Sequence, residues 1–97
     1  MFRQFFLDFT KVHDRDGLHD YLKTTFSFPD YYGRNLDALY EALSDIMEDS
    51  CISIYAEGMM EADHEFSNYL RKAITVFKDA EAENDHIAVV VIDEFGA

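Results

Sequence analysis

Three short runs of strand-forming residues, Phe2–Phe9, Cys51–Tyr55 and His86–Ile92, stand far apart in the chain, and most of what separates them has helical periodicity. Strands joined by connections this long cannot form hairpins and require crossovers. The order strand, helix, helix, strand, helix, strand therefore predicts an α/β fold, a small three-stranded parallel sheet packed on helices. Phe2 to Phe9 is aromatic and partly alternating, with Phe5, Leu7 and Phe9 on one side, while Phe2 and Phe6 suggest cover on the other. The nearly unbroken β-branched run of His86–Ile92 suits a strand covered on both faces, as central strands of parallel sheets are.

The helices announce themselves by caps and stripes. Asp14 or Asp16 can cap a first helix carrying Leu18, Tyr21 and Leu22, which is expected to end near Thr25, ahead of Pro29. Asn35 can cap a second, in which Leu36, Leu39, Tyr40, Leu43, Ile46 and Met47 trace one stripe and Asp37, Glu41, Asp45 and Glu48 another. Phe66, Tyr69, Leu70, Ala73, Ile74, Phe77 and Ala80 predict a long third helix ending near Glu83 or Asn84. Residues 57–65, with Gly58, Met59 and Met60, fit either a turn or a short helix. The tail Asp93–Ala97 is expected to be loose. Residues 1–97 are read as one domain, since a chain this short closes around one hydrophobic core.

Charge narrows the partners. Twenty acids against eight bases give a formal net charge of −12, which repels phosphates and so argues against direct nucleic-acid binding and against anionic membranes. The 48% hydrophobic and 15% aromatic content argues against disorder in spite of that charge. The acids are unevenly placed: nine lie between Asn35 and Leu70 with no Lys or Arg, and nothing basic follows Lys78 except His86. A single cysteine, Cys51, leaves no intramolecular disulfide, and neither a signal-peptide core nor a membrane-length apolar run is present; a cytoplasmic protein is expected.

Recognisable reaction centres are scarce. The four glycines are scattered and make no phosphate-cradling loop, there is no serine nucleophile elbow, and Cys51 in a strand reads as a core thiol. Asp14-Arg15-Asp16-Gly17 lacks the downstream Glu of a calcium loop and reads as a helix cap. His13, His19, His64 and His86 have no ligand-type spacing, so each is read as solvated or singly satisfied, and no cofactor or metal is expected. Clustered carboxylates with a divalent metal remain a third reading, behind two binding functions.

The stretch Pro29–Leu43 carries most of the functional signal. Pro29 and Gly33 bracket two tyrosines, which suggests an ordered loop, because Pro restricts one end and Gly permits unusual dihedrals at the other. Beyond it, Asp37/Glu41 and Glu41/Asp45 are like-charged i,i+4 pairs, each disfavouring an exposed helix by about 0.2–0.5 kcal/mol. Asp37 gains from the helix dipole, whereas Glu41 and Asp45 lie too far along. Asp79, Glu81 and Glu83 crowd a helix C-terminus, where the dipole prefers cations. Local stability does not select such acids. A solvated acidic face is the bland account, and exposed Tyr31, Tyr32 and Tyr40 with an acidic rim describe a protein-binding surface instead.

The residues Pro29, Tyr31, Tyr32, Gly33, Asn35, Leu36, Asp37, Ala38 and Leu39 match a Pro-x-Tyr-Tyr-Gly-x-Asn-Leu-Asp-Ala-Leu motif, and in this the chain resembles the barstar family of intracellular ribonuclease inhibitors. The segment Phe77–Glu83 is similar to that family's second acidic segment. The resemblance implies a barstar-like fold and an inhibitor, not an enzyme, that plugs a ribonuclease active site with carboxylates in place of substrate phosphates. It implies that Tyr31 stacks on the enzyme, that Gly33 and Asn35 allow close approach, that Asp37 and Glu41 meet its Arg, Lys or His, and that Asp79 and Glu83 add flanking charge. Tyr40 and Glu41 stand where the best-known member has Trp and Asp, and Arg34 replaces an acid. The partner implied is a basic ribonuclease, barnase-like or a related toxin nuclease, bound one-to-one in an immunity-like role. The alternative is an acidic interaction module for another basic partner, without ribonuclease inhibition.

Overall fold

The computed structural model describes residues 3–56 and 64–92. In it the chain runs β1 (Arg3–Asp8), a 3-10 turn (Phe9–Lys11), α1 (Arg15–Phe26), α2 (Leu36–Ser44), β2 (Ser50–Tyr55), α3 (His64–Glu83) and β3 (Ile87–Ile92). The strands form one parallel sheet in the order β1-β2-β3, with Arg3 opposite Ser50 and Ser50 opposite Ile87. This is the expected three-stranded α/β architecture. Residues 57–63, part of the stretch left open between turn and helix, lie outside the described residues, as do Phe2 and the tail 93–97. Of that open stretch, His64 and Glu65 begin α3.

The sheet departs from expectation in one respect. The middle strand is β2, and β3 is an edge. In β3, Ile87 and Val89 are buried while Ala88, Val90 and Ile92 face outward and are exposed, and on β1 Phe6 is 56% exposed. Among the described residues the sheet is thus covered on one face only. Right-handed crossovers stepping in one direction across a sheet place every helix on the same side. The β-branched run of β3 therefore reflects strand propensity and not burial on both faces. Cys51 lies on the outer side of β2, half-buried and free, and is not the core thiol expected.

On the covered face, Leu7, Ile52, Ile54, Ile87 and Val89 of the sheet meet Leu18 and Leu22 of α1, Leu39 and Leu43 of α2, and Leu70, Ala73 and Phe77 of α3 in a single core. These helix positions recur at three- and four-residue intervals, which keeps them on one stripe.

Side chains engage part of each open edge of the sheet. The Tyr21 hydroxyl of α1 accepts the outward N–H of Asp8 at 2.9 Å. On β3, the Val89 N–H donates to Glu81 Oε2 at 2.6 Å and Lys78 Nζ donates to the Val89 carbonyl at 3.1 Å. Unpaired strand edges are templates for aggregation, so these contacts have a protective role. They also account for Glu81, an acid that local helix energetics does not choose. No helix among the described residues is long and apolar enough to cross a membrane.

Candidate functional site

The loop between α1 and α2 is built from the inside out. Asp14 caps α1, its Oδ1 accepting the Gly17 N–H at 2.7 Å, and the helix closes at Ser27 in the left-handed region with φ 57°. The chain then packs Phe28 against Phe26 and Tyr32, with ring centroids 5.3 and 4.9 Å away. A turn follows in which the Tyr32 N–H donates to the Pro29 carbonyl at 2.9 Å. This separates the adjacent tyrosines: Tyr32 is buried, and Tyr31 is 89% exposed.

Besides Ser27, Arg34 takes left-handed backbone, with φ 58°, whereas Gly33, the residue free to do so, does not. Left-handed backbone is unfavourable for a residue with a Cβ. Arg34 is held there by α1: Nη1 pairs with the Asp20 carboxylate, and Nη2 donates to the Asp16 carbonyl at 3.1 Å. The pairing holds the Asp20 carboxyl below its usual range, chiefly through the Arg34 hydrogen bond. Gly33 serves by its size, since a Cβ there falls 3.1 Å from the Ala38 Cβ.

Asn35 opens α2 as expected, its Oδ1 accepting the Ala38 N–H at 2.7 Å while Nδ2 donates back to the Gly33 carbonyl at 3.3 Å. Leu39 and Leu43 are fully buried, and Leu36, Tyr40 and Ile46 are half-buried. The helix ends at Ser44, short of the expected Met47, which is 80% exposed. A tertiary contact stops it. Asn84, just past α3, donates through Nδ2 to the carbonyls of Leu43 and Ile46 at 3.0 Å each and of Ser44 at 3.4 Å, satisfying groups a helix C-terminus leaves unpaired. The C-terminal ends of α2 and α3 are thereby pinned together.

Loop and helix enclose a groove of about 250 Å³ lined by Phe28, Pro29, Tyr31, Tyr32, Gly33, Ala38, Glu41, Ala42 and Asp45. Its walls are aromatic on the loop side and carboxylate on the helix side. Tyr31, Gly33 and Glu41 are brought together here. Asn35 and the exposed Asp37 sit at the helix start beside it, and Tyr40 turns half inward against the core. Asp79 and Glu83 are exposed near the end of α3 and do not line the groove. Asp45 does line it, and was legible only as part of the acidic stripe.

Asp16, Asp20, Asp30, Glu48, Asp49 and Glu81 each have a basic partner within the chain. Among the described residues, Asp37, Glu41, Asp45, Asp79 and Glu83 have none, and neither do Asp8, Asp14, Glu65 and Asp85 away from the groove. Nor is any group of three or more His, Cys, Asp or Glu side chains among the described residues set to hold a metal ion.

Behind the loop lies a group whose role the sequence did not reveal. His19 is buried, with Nδ1 2.7 Å from the Tyr32 hydroxyl and Nε2 2.7 Å from the Tyr69 hydroxyl. It is bonded on both ring nitrogens and is neither solvated nor singly satisfied. The sole hint is its place between Leu18 and Leu22 on the inner face of α1.

A family model described as "Barstar (barnase inhibitor)" matches residues 2–93 of the chain. The "Putative ribonuclease inhibitor YrdF" of Bacillus subtilis (strain 168) is 29% identical over 90 residues, which is 92% of this chain and 98% of that protein.

Proposed function

The chain belongs to the Barstar family, and from that footing we propose that it is a cytoplasmic protein inhibitor of a basic ribonuclease, bound one-to-one, and not an enzyme. The observation that carries the reading is the exposed Tyr31 beside a groove whose carboxylates, Glu41 and Asp45, have no basic partner among the described residues. Carboxylates left unpaired can be buried at an interface at acceptable cost only where the other side supplies cations. A ribonuclease active site, which binds phosphates through Arg, Lys and His, is such a surface.

In this reading Tyr31 stacks on the enzyme. Asp37 and Glu41 meet active-site cations, in the place of substrate phosphates. Gly33 and Asn35 let the loop approach closely, Tyr40 supports it from behind, and Asp79 and Glu83 contribute flanking charge. Complementary charge steers association, which is therefore expected to slow as salt is raised. Because Glu41 is one methylene longer than the Asp of the family's best-known member, the partner that fits best is a nuclease related to barnase.

Two variants that each remove one charge test the surface. Glu41→Gln is expected to weaken inhibition of RNA cleavage by at least about tenfold, in the range of a buried charged hydrogen bond. Asp14→Asn retains the cap at the start of α1, outside the groove lining, and is expected to leave inhibition unchanged. Equal losses in both argue against the site. Binding without blocked cleavage indicates the interaction module instead.

A further inference from the structure

His19 joins three elements at one point: its own helix α1, the loop through Tyr32, and α3 through Tyr69. A neutral imidazole offers one donor and one acceptor. The Tyr32 hydroxyl is buried and has no other hydrogen-bond partner among the described residues, so its proton is best placed by donation to Nδ1. Nε2–H then donates to the Tyr69 oxygen, and Tyr69, half-exposed, can pass its own proton to solvent. Burial raises both phenols, so both remain O–H donors at neutral pH.

Protonation of Nδ1 converts the acceptor into a second donor facing the Tyr32 O–H. The Tyr32 oxygen can accept this new N–H, but its own O–H must then rotate away from Nδ1 and loses its one acceptor among the described residues, a cost that falls on the loop. The neighbours of Tyr32, Tyr31 and Gly33, line the groove, and its N–H closes the turn from Pro29. Resting on the reading of loop and α2 as the inhibitory surface, we propose that His19 is a positioning residue: it holds the loop in its binding form while Nδ1 is unprotonated, and acidification releases that hold.

The groups facing His19 are Arg34 from the loop, Asp16 and Asp20 from α1, and Tyr69 from α3, over whose ring the Arg15 guanidinium lies at 4.4 Å. Burial lowers the affinity of His19 for a proton, Arg34 lowers it further, and Asp16 and Asp20 oppose. The histidine is thus less basic folded than unfolded, where its value is about 6.5. Its contribution to stability is complete above about pH 6.5 and is lost as pH falls below that toward the lowered folded value.

The test uses the whole chain, free and bound. By NMR, the His19 ring and the amides of Tyr31–Gly33 are followed from pH 7.5 to 5 beside the core amide of Ile52. The loop amides are expected to shift together with the His19 ring while Ile52 stays fixed, and Tyr32→Phe is expected to abolish the loop response. Titration of His19 without a loop response, or with an equal response at Ile52, overturns the proposal. Barnase, the enzyme named in the family description, serves as probe in the bound arm. Its dissociation rate from the wild type is expected to rise about fivefold or more between pH 7.5 and 5.5, relative to Tyr32→Phe. Equal rises in both also overturn it. Absence of barnase binding at every pH counts against that enzyme as the partner and leaves the loop measurement to decide the role of His19.

Discussion

Replacing Asn84 by alanine tests how the two acidic segments are held in register. The carboxamide has two N–H protons and serves three carbonyls of the last turn of α2, at 3.0, 3.0 and 3.4 Å, while its Oδ1 accepts the His86 N–H at 2.9 Å. The two shorter bonds and the bond to His86 are lost outright, and the longer contact adds little. At about 0.5–1.5 kcal/mol net for each bond, with the stranded Leu43 carbonyl buried, the loss comes to about 2–4 kcal/mol. For a domain of this size that lowers the melting temperature by about 10–25 °C. Urea denaturation followed by circular dichroism measures it. Asn84→Asp is the sharper companion, because it keeps the acceptor for His86 but turns a carboxylate toward three carbonyl oxygens. It is expected to be at least as destabilised as the alanine variant at pH 7 and to recover as the introduced acid is protonated. A loss below about 0.5 kcal/mol for alanine, or an Asp variant as stable as the wild type, refutes the pinning role assigned to Asn84.

Three further outcomes follow from the same geometry. Leu39→Ala empties a fully buried position on the inner face of α2 and is expected to cost about 2–5 kcal/mol in the same denaturation assay. Tyr21→Phe removes the acceptor for the Asp8 N–H and is expected to cost about 1 kcal/mol; sedimentation velocity should then show concentration-dependent association through the opened β1 edge. Gly33→Ala places a Cβ 3.1 Å from the Ala38 Cβ, so stability is expected to fall by about 1 kcal/mol while inhibition falls further, because the displaced backbone is that of the groove.

What the sequence revealed and what it hid have separate physical causes. Local patterns were readable: Asp14 and Asn35 cap helices because their side chains reach N–H groups three residues on, and the stripes of α2 and α3 bury the residues their spacing selects. Most of the candidate groove lies in one continuous stretch, so Tyr31, Gly33 and Glu41 could be named from it. Features set by distant residues were not readable. The stop of α2 at Ser44 depends on Asn84, forty residues further along, and a hydrophobic stripe through Ile46 and Met47 pointed past it. Arg34 takes a left-handed loop position because Asp16 and Asp20 hold its side chain, although Gly33 was the locally favoured choice. His19 resembled any surface histidine until the fold put two tyrosines against it. The acids at the end of α3 divide for a similar reason, with Glu81 turned to the edge of β3 and Asp79 and Glu83 left to solvent.

The central claim is that this surface blocks a ribonuclease by occupying its active site. Titrating the chain into a panel of basic ribonucleases, barnase included, at fixed RNA substrate tests it most directly. For at least one enzyme, cleavage is predicted to fall linearly to zero at one equivalent of chain at low salt, with a slower approach to inhibition as salt is raised. Full RNA cleavage by every enzyme of the panel at a large excess of folded chain contradicts the account.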